Sequence, residues 1–543
     1  MQRNITFDLI GHAQARPDAP ALLLPHRTID FRALDQLVWQ YAAALQALGV
    51  RAGQVVGLSF VEELGLVLAL LALARLGATA YSIPRSATAS QRRQLAERAA
   101  IAWLASDQPE RFECGVTSLR LERQAIEASP ARIDSRLLVP APEAPWLLIT
   151  GSGSTGRPKL IPVSHAQGRA RSELGARALG LTPSDRVAAL SHFDFSTSKF
   201  RLHEALWAGA ACALELWTDA ATVLQRCASD RLSVLYGTVF HAEQLIASLP
   251  AGNRETSPAL PMLRAFELTA STVSDDLRQR FRQMLTPQLY VRYGINEAGP
   301  VAIAGPPEVY QIAGTVGRPP AGVEIELVDR RGQALPPATV GLVRIRTPAL
   351  VDGYLGDAEA SRASFQDGWF LPGDLGLLTR EGQLVFYGRA DHMLIMNGIN
   401  IYPAEIEQLM AAHPAVADVA VVPVQHRVHQ DIPVCALTLR AGATVSEQAL
   451  LDHASSQLGA RGPYRVLIVD AIPRNHEGKL MRAELLRLIG ARLLTPGAQA
   501  DSQGQKPAPA ASQRRQRLQR FEQRFTLPAA VDLPALDGWL MRV

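Results

Sequence analysis

The sequence predicts an α/β fold with a large N-terminal domain, a small barrel-like β subdomain and a small α+β domain near the C-terminal end. Three observations predict this organisation. From residue 5 to about 145, apolar strand-like runs alternate with helical patterns, which is typical of parallel sheets covered by helices. Between residues 314 and 388, apolar and charged residues alternate, which indicates short antiparallel strands. After residue 391 helical and strand patterns return over roughly a hundred residues, the size of a small domain.

Individual elements follow from local signals. A helix is expected from Asp30 through Leu48, and residues 55–60 form a buried strand pattern. Residues 64–76 predict a buried helix, because they are almost entirely apolar and are followed by a glycine. In the C-terminal part, Pro403 suits the first position of a helix and Ser446 suits a helix N-cap.

Length and charge limit the classes of function. A chain of 543 residues and 58.8 kDa is too long for one hydrophobic core, which predicts two or more domains. With 48% hydrophobic and 20% charged residues, the composition is that of a soluble globular protein. The formal net charge of +4 is small for this size, so nucleic acid is not expected as a partner.

Neither a targeting signal nor a membrane span is predicted. Residues 1–20 lack an apolar signal-peptide core, and the most apolar run, 64–74, is too short to cross a bilayer. A cytoplasmic enzyme is therefore expected. The four cysteines form no pair or cluster, which predicts reduced thiols with neither zinc nor disulfides; they are Cys114, Cys212, Cys227 and Cys435.

The most informative stretch is the glycine-rich run at 150–159. It leaves the apolar run 146–149, and glycines with hydroxyl side chains and Lys159 can surround a phosphate group. It is not a Walker A loop, because Lys159 stands three residues after Gly156 and precedes a leucine. Taken alone, the run is equally compatible with a Gly/Ser surface turn.

Seven segments of the chain, in order and in register, resemble motifs of the adenylate-forming superfamily, which includes acyl-CoA synthetases, acyl- and aryl-acid AMP ligases, adenylation domains and luciferases. The resemblance covers about residues 20–490. The motifs are the phosphate loop 152–159, Tyr293-Gly294-Ile295-Asn296-Glu297, Gly317-Arg318-Pro319, the segment 369–374, Gly388-Arg389-Ala390-Asp391, the segment 400–407 and the segment 473–479.

The resemblance implies an acid–thiol ligase. Such an enzyme activates a carboxylic acid with ATP to give acyl-AMP and pyrophosphate, and a thiol then displaces AMP. The family uses Mg²⁺. Positioned hydrogen-bond donors and this metal ion stabilise the charge on the transferred phosphate. The acceptor implied is coenzyme A, with the phosphopantetheine of an acyl or peptidyl carrier protein as the alternative.

The resemblance also implies residue roles. Glu297 would ligate Mg²⁺, Tyr293 and Gly294 would bind the adenine side, and Asp374 with Arg389 would hold the ribose. The β- and γ-phosphates would be held by the loop residues Ser152, Gly153, Ser154, Thr155, Gly156 and Lys159. The remaining catalytic residues implied are Asn296 and Lys479, the latter bridging the substrate carboxylate and the α-phosphate.

The family moves its small domain between the half-reactions, which implies a mobile C-terminal domain and a hinge at Asp391. The expected organisation is an N-terminal domain at 1–388, a hinge at 389–391, a C-terminal domain at 392–492, and a linker with an arginine-rich tail at 493–543. The tail pattern favours a solvated helix, although a helix that docks an acidic carrier protein is also compatible.

The chain departs from the family pattern at four places. Glycine, asparagine, proline and asparagine replace the usual threonine at Gly151, Asn296, Pro372 and Asn475. The charged positions are all retained, so activity is expected. A degenerate nucleotide-binding protein without catalysis is the remote alternative.

The identity of the acid is left open between aryl, short-chain, long-chain and amino acids. Residues near the strand exits are expected to line its pocket; they are His192, Phe193, Asp194, Phe195, Tyr236, Gly237 and the segment 269–272. Asp194 could bind an α-amino group, as in amino-acid-activating domains, because a buried carboxylate needs a partner. The segments after the phosphate loop and at 400–403 instead resemble aryl-acid ligases and acyl-CoA synthetases.

Overall fold

The computed structural model describes most of the chain up to residue 494. The described ranges are 4–129, 142–151, 159–216, 219–249, 258–269, 272–390, 393–396, 399–426, 430–475 and 478–494. The phosphate-loop residues 152–158, the predicted hinge residue Asp391 and the tail lie outside these ranges.

Fifteen α-helices occur among the described residues. They are α1 (Phe7–Ala15), α2 (Phe31–Ala47), α3 (Glu63–Leu76), α4 (Ala89–Arg98), α5 (Arg123–Ala128), α6 (His165–Ala178), α7 (Ser196–Ala208), α8 (Ala220–Ser229), α9 (Val239–Ser248), α10 (Asp275–Met284), α11 (Glu308–Gln311), α12 (Ala358–Ser364), α13 (Pro403–Ala411), α14 (Glu447–Leu458) and α15 (Arg482–Leu494).

The strands of the N-terminal part are β1 (Pro20–Leu23), β2 (Thr28–Asp30), β3 (Val55–Leu58), β4 (Thr79–Ser82), β5 (Trp103–Ser106), β6 (Ser118–Arg120), β7 (Pro145–Gly151), β8 (Lys159–Ser164), β9 (Arg186–Ala189), β10 (Ala211–Ala213), β11 (Val234–Thr238), β12 (Ala265–Thr269), β13 (Leu289–Ile295) and β14 (Gly299–Ala304).

The later strands are β15 (Thr315–Gly317), β16 (Glu324–Val328), β17 (Val340–Arg346), β18 (Phe365–Gln366), β19 (Trp369–Phe370), β20 (Asp374–Leu378), β21 (Leu384–Arg389), β22 (Leu394–Met396), β23 (Ile399–Ile401), β24 (Val416–His426), β25 (Gln430–Leu439) and β26 (Arg465–Ile468).

Two mainly parallel sheets form the N-terminal part, which confirms the predicted α/β class. One has eight strands in the order β14-β13-β12-β11-β9-β10-β1-β2, with antiparallel pairs only at its two ends. The other has six strands in the order β6-β5-β3-β4-β7-β8 and ends on the antiparallel pair β7–β8.

A third sheet contains β15 to β21, and its pairs β15–β21, β16–β17, β17–β19 and β18–β19 are antiparallel, as the alternating pattern predicted. The fourth sheet has the order β23-β22-β25-β24, with β26 added parallel to β25. Successive residues of β24 point to opposite faces of this sheet: Val419 and Val421 pack in one core, and Ala420 and Val422 pack in the other.

Local signals set the helix ends. The Asp30 side chain accepts the backbone N–H of Ala33 at 2.7 Å and caps α2. At the end of α3, Gly77 adopts a left-handed φ of 69°, a conformation that favours glycine. Residues 64–76 of α3 are all buried, so its apolar character reflects the core. Among the described residues, no helix combines the length and hydropathy needed to cross a membrane.

The chain divides into two compact units. Among the described residues, one contains those within 4–273, 277–372 and 377–385, and the other contains those within 274–276, 373–376 and 386–494. The four cysteines are buried with free thiols, as predicted, and burial raises the pKa of Cys212 and of Cys227 to about 12.

Candidate active site

The predicted phosphate loop connects two paired strands. β7 and β8 run antiparallel, and Gly151 at the end of β7 is the register partner of Lys159 at the start of β8. The two ends of the loop are therefore close together. A Cβ atom at Gly151 would lie 2.8 Å from Cδ1 of the buried Ile161, so glycine at this position leaves room for that side chain.

Tyr354 links Lys159 to Glu297. The Lys159 ammonium lies 4.1 Å from the centre of the Tyr354 ring, and the Tyr354 hydroxyl donates a 2.9 Å hydrogen bond to Oε1 of Glu297. The Glu297 side chain is half-buried. A cation, an aromatic ring and an oriented carboxylate thus form a contiguous group beside the loop.

The backbone of Glu297 is fixed by a buried arginine. Arg171 on α6 donates to the carbonyl oxygens of Glu297 at 3.0 Å and Ala349 at 3.2 Å, and its guanidinium lies over the Phe200 ring at 5.1 Å. Burial lowers the pKa of Arg171 to about 9, against the opposing effect of the Glu297 carboxylate. Arg171 therefore holds the turn after β13 through backbone contacts.

Asn296, which replaces the family's threonine, contacts the first residue of α7. The Ser196 hydroxyl donates to Oδ1 of Asn296 at 3.2 Å. Tyr293 and Gly294 precede it on β13, where Tyr293 is half-buried and Gly294 is exposed. A Cβ at Gly294 would lie 3.2 Å from the carbonyl oxygen of Gly299, so a side chain there would crowd the start of β14.

A small cleft, with a cavity volume of about 90 Å³ and open to solvent, lies beside these residues and is contained in the first unit. Its wall combines the N-terminal half of α7 with the ends of β12 and β13 and the start of β14. The lining residues are Arg171, Ser196, Thr197, Phe200, Arg201, Glu204, Thr269, Arg292, Gly294, Ile295, Asn296, Gly299 and Pro300.

Four buried charges meet at one side of this cleft. Arg201 contacts Glu204 and Glu267, each at 2.5 Å, and Arg292 contacts Glu204 at 2.9 Å and Glu267 at 2.6 Å. Burial alone would lower the pKa of Arg292, but the two carboxylates raise it above its usual range, whereas burial raises the pKa of Glu267. We call these four residues the ion quartet.

Of the residues predicted to line the acid pocket, Thr269 lines this cleft, whereas His192, Phe193, Asp194, Phe195, Tyr236 and Gly237 do not. Phe193 is buried in the core of the first unit because the segment before α7 packs down onto the sheet. Tyr236 lies behind the ion quartet, where its hydroxyl donates to Glu204 at 3.4 Å. Gly237 is enclosed, since a Cβ there would lie 3.1 Å from Phe266.

His192 and Asp194 contact each other beside the cleft. The His192 ring accepts the backbone N–H of Asp194 at 3.0 Å, and Oδ2 of Asp194 accepts the backbone N–H of Arg85 at 3.2 Å. Burial alone would raise the pKa of Asp194, but the neighbouring His192 lowers it. These contacts engage Oδ2 only, and Oδ1 of Asp194 is buried with no hydrogen-bond partner among the described residues, so its binding of a substrate amine stays a prediction.

In the second unit, Asp374 and Arg389 lie together, as the resemblance implied. The Asp374 side chain is 9% exposed and its carboxylate lies 3.6 Å from the guanidinium of Arg389, whose side chain is more than a third exposed. The Ala390 backbone N–H donates to Gly373 at 2.7 Å, and a Cβ at Gly373 would lie 3.2 Å from the guanidinium. Gly373 also has a φ of +80°, a backbone conformation that favours glycine before the aspartate.

Lys479 is exposed at the end of a tight turn. The Asn475 side chain accepts the Lys479 backbone N–H at 2.9 Å, and the Asn475 N–H donates to the Lys479 carbonyl at 2.9 Å. Arg474 donates to the Gly478 carbonyl at 3.1 Å and pairs with Asp418 at 2.8 Å. Asn475, the replacement for threonine, thus fixes the backbone that carries the lysine.

Several residues of this site were not identified from the sequence. Tyr354 follows an Asp-Gly pair after β17, a weak turn signal that gave no indication of its contact with Glu297. Arg171, Arg201 and Glu204 lie on helices and resemble solvated charges in the sequence. Helical spacing does place the α7 lining residues on one face, which was the only local signal for them.

The chain matches two protein-family models. The AMP-binding enzyme model matches residues 10–355, and the AMP-binding enzyme C-terminal domain model matches residues 405–479.

Curated relatives match along nearly their whole length. Indoleacetate–CoA ligase of Aromatoleum aromaticum is 27% identical over 89% of this chain and 97% of its own. The 2-succinylbenzoate–CoA ligase of Bacillus subtilis is 26% identical over 88% and 96%. The 3-hydroxybenzoate–CoA/4-hydroxybenzoate–CoA ligase of Thauera aromatica is 26% identical over 90% and 98%.

Solved structures share the fold. ATP-bound MatB from Rhodopseudomonas palustris has a TM-score of 0.81 at 23% identity, covering 90% of this chain and 99% of its own. The AMP complex of O-succinylbenzoate coenzyme A synthetase (MenE) from Bacillus subtilis has a TM-score of 0.77 at 24% identity, covering 89% and 98%. Since the first family model alone spans more than half of the sequence, this chain belongs to the AMP-binding enzyme family.

Proposed function

We propose that this protein is an AMP-forming acid–CoA ligase. In the first half-reaction, a carboxylate oxygen of the acid attacks the α-phosphorus of ATP, the bond to the β-phosphate oxygen breaks and pyrophosphate leaves. In the second, the sulfur of coenzyme A attacks the acyl carbon, the thiol proton passes to solvent, and AMP leaves as the thioester forms.

One observation carries this proposal: relatives aligned over 87–90% of this chain and 96–98% of their own are named as CoA ligases. Those relatives act on 2-succinylbenzoate, hydroxybenzoates and indoleacetate among other acids. Both family domains are present in order, so both half-reactions have their expected parts in this chain.

The residues around Glu297 suit a nucleotide-bound Mg²⁺. The ion prefers oxygen ligands and usually binds through one or two carboxylates together with substrate phosphates. No group of three or more acidic, histidine or cysteine residues able to hold a metal occurs in the described part of the chain, which favours this shared mode over an all-protein cage. Glu297 would hold the ion with the carboxylate oriented by Tyr354. When bound, Mg²⁺ would neutralise phosphate charge.

Lys159 and the loop before it would hold the β- and γ-phosphates. The loop residues proposed are Ser152, Gly153, Ser154, Thr155 and Gly156. Lys159 is held over Tyr354, so its charge is fixed at the end of that loop. A positioned cation of this kind stabilises transferring phosphate groups by electrostatics without covalent chemistry.

The proposed roles in binding the adenine and the ribose rest on the sequence motifs. Tyr293 and Gly294 would contact adenine, and Asp374 would accept the ribose hydroxyls with Arg389 beside it. The burial of the Asp374 carboxylate next to a guanidinium supports this role, because an ionised carboxylate is a strong hydrogen-bond acceptor.

Lys479 is proposed to bridge the acid's carboxylate and the α-phosphate during adenylation. Its exposed ammonium on a backbone fixed by Asn475 supports that role, since a positioned cation can stabilise charge as it develops. Asn296 would contribute a side-chain amide. We also propose that the chain turns at Asp391 between the half-reactions, as the resemblance implies. Gly388, three residues earlier, has a φ of +98°, a conformation that favours glycine.

The test is carboxylate-dependent ATP–pyrophosphate exchange over aryl, short-chain, long-chain and amino acids. It is followed by thioester formation with coenzyme A or with a phosphopantetheine-loaded carrier protein as acceptor. The proposal predicts exchange with at least one acid and thioester formation with coenzyme A. Formation with the carrier protein alone would favour the alternative acceptor.

Two variants make the test specific. Lys479→Ala is expected to lower exchange by about 100-fold, the scale of one well-placed electrostatic group. Arg487→Ala removes an exposed charge from α15 in the same unit and should leave exchange unchanged. ATP binding without exchange for any acid would overturn the ligase proposal and favour the remote alternative of a non-catalytic nucleotide-binding protein.

A further inference from the structure

The cleft of the first unit has a reacting end and a closed end. Ser196 contacts Asn296, the neighbour of Glu297, so the first turn of α7 marks the end nearest the proposed chemistry. Glu204 lies eight residues further along the same helix, about 12 Å at 1.5 Å per residue. The ion quartet therefore lies at the far end of the cleft from Asn296.

The ion quartet closes that far end with paired charges. The side chains of Arg201, Glu204, Glu267 and Arg292 are between 0% and 6% exposed, and each arginine contacts both glutamates. The two positive and two negative charges balance. Gly175 on α6 packs directly on this group, because a Cβ there would lie 2.0 Å from Oε1 of Glu204.

A long aliphatic chain does not fit such an end. It would have to separate buried ion pairs, and an unpaired buried charge costs several kcal/mol. Apolar side chains in the lining are confined to Phe200, Ile295 and Pro300. The hydroxyls of Thr197 and Thr269 add further polar groups to the wall.

A second charge on the acid is not favoured either. Both carboxylates of the ion quartet already contact both arginines, so an added anion or cation would lack a counter-charge there. A neutral hydroxyl, phenol or amide can hydrogen-bond to such groups without changing their charge balance.

Building on the proposed ligase function, we infer that the ion quartet selects a short carboxylic acid that carries a neutral hydrogen-bonding group at its far end. Arg201, Glu204 and Arg292 would be the residues that determine this specificity, while Glu267 holds the two arginines from behind.

The test compares acids of equal length in ATP–pyrophosphate exchange with the full-length enzyme. The pairs are benzoate against its hydroxybenzoates and hexanoate against its ω-hydroxy derivative, with tetradecanoate as the long chain. We expect kcat/KM to be at least about tenfold higher for the hydroxylated member of a pair, because a polar site discriminates against analogues that leave it unpaired. No exchange is expected with tetradecanoate.

A double variant tests the residues themselves. Glu267→Leu with Arg292→Leu removes one positive and one negative charge and leaves the Arg201–Glu204 contact, which avoids an isolated buried charge. The preference for the hydroxylated acid should fall at least about tenfold. The surface pair Glu243→Gln with Arg280→Gln is the matched control and should retain the preference. Thermal unfolding shows whether the double variant folds, and the acid panel on the wild type decides the inference if it does not.

The outcomes separate the two proposals. Exchange with tetradecanoate as efficient as with the hydroxylated acids would overturn the selection of short polar acids and leave the ligase function standing. That selection would also be overturned, with the ligase function intact, if each hydroxylated acid reacted no better than its unsubstituted partner. Failure of every acid to support exchange would overturn the ligase function, and the inference with it.

Discussion

The hydroxyl of Tyr354 donates a 2.9 Å hydrogen bond to the carboxylate of Glu297, 57 residues earlier in the chain. The same tyrosine ring lies 4.1 Å below the ammonium of Lys159. One side chain thus positions both the proposed metal ligand and the cation at the end of the phosphate loop. Tyr354 contacts the proposed binding groups and is best described as a positioning residue.

Tyr354→Phe is expected to raise the Mg²⁺ concentration needed for half-maximal ATP–pyrophosphate exchange about tenfold. A hydrogen bond to a charged group contributes about 1.5–3 kcal/mol, and its loss frees the Glu297 carboxylate to leave the orientation that suits the ion. The ring and its contact with Lys159 are retained, so the change isolates the hydroxyl. A Mg²⁺ titration of exchange activity measures the effect.

Tyr310→Phe is the matched control, because the Tyr310 hydroxyl donates to the carbonyl of Pro287 at 3.0 Å and lies outside the cleft. It should leave the Mg²⁺ requirement unchanged. If Tyr354→Phe lowers only the thermal stability and leaves the Mg²⁺ titration in place, Tyr354 has no positioning role.

Gly175→Ala should destabilise the first unit even though alanine is the better helix former. Inside a helix this substitution ordinarily stabilises by up to about 1 kcal/mol. At Gly175, however, the added Cβ would lie 2.0 Å from Glu204 and 2.9 Å from Arg292, so the ion quartet would have to move. The expected net loss is about 1–3 kcal/mol in the free energy of unfolding, measured by urea denaturation.

Gly11→Ala provides the comparison. Gly11 also lies inside a helix, α1, but no atom lies within 4 Å of its would-be Cβ. It should be neutral or stabilising. Equal effects of the two substitutions would show that the packing of Gly175 on the ion quartet does not constrain the fold.

Local patterns predicted the elements of the fold well. The almost wholly apolar run that became α3 and the alternating residues of β16 and β17 were sufficient by themselves. The motif residues Asp374 and Arg389 were also expected together, because the resemblance to the adenylate-forming superfamily implied it. The helix and strand patterns depend on residues that are close together in the sequence.

The lining of the cleft depends on contacts between residues far apart in the sequence, which local sequence patterns do not predict. Arg201 meets Glu267 from a strand 66 residues later, and without that partner its charge looks like part of a solvated helix face. The polar segment before α7 was expected to form a pocket wall because it follows a strand. Phe193 of this segment packs into the core, His192 and Asp194 are half-buried, and residues of α7 line the cleft.

Asn475 should be needed for Lys479 to act. Asn475→Ala removes the side-chain acceptor for the Lys479 backbone N–H, and a net hydrogen bond contributes about 1 kcal/mol. We expect exchange activity to fall up to about tenfold. Asn475→Thr restores an oxygen at the family's usual residue and should recover most of the activity. Equal activity of the wild type and Asn475→Ala would show that the turn is held by its backbone contacts alone.

Lys199 should make the stability of the first unit depend on pH. Its ammonium is buried and donates to the Asp194 carbonyl at 2.8 Å, and burial lowers its pKa from 10.5 to about 7, against the effect of the Asp194 carboxylate. Between these two pH values the unfolded chain holds a proton on this lysine that the folded protein does not hold. The contribution of Lys199 to the unfolding free energy therefore rises with pH across this window.

The measurement is the difference in unfolding free energy between the wild type and Lys199→Met at several pH values from 7 to 10. This difference removes the opposing effect of the buried cysteines, whose raised pKa values make the folded state less favourable as the unfolded thiols ionise. It should shift in favour of the wild type by about 1 kcal/mol per pH unit. A difference that stays flat would mean that Lys199 remains charged in the fold, stabilised by the carbonyls of Asp194 and Phe195.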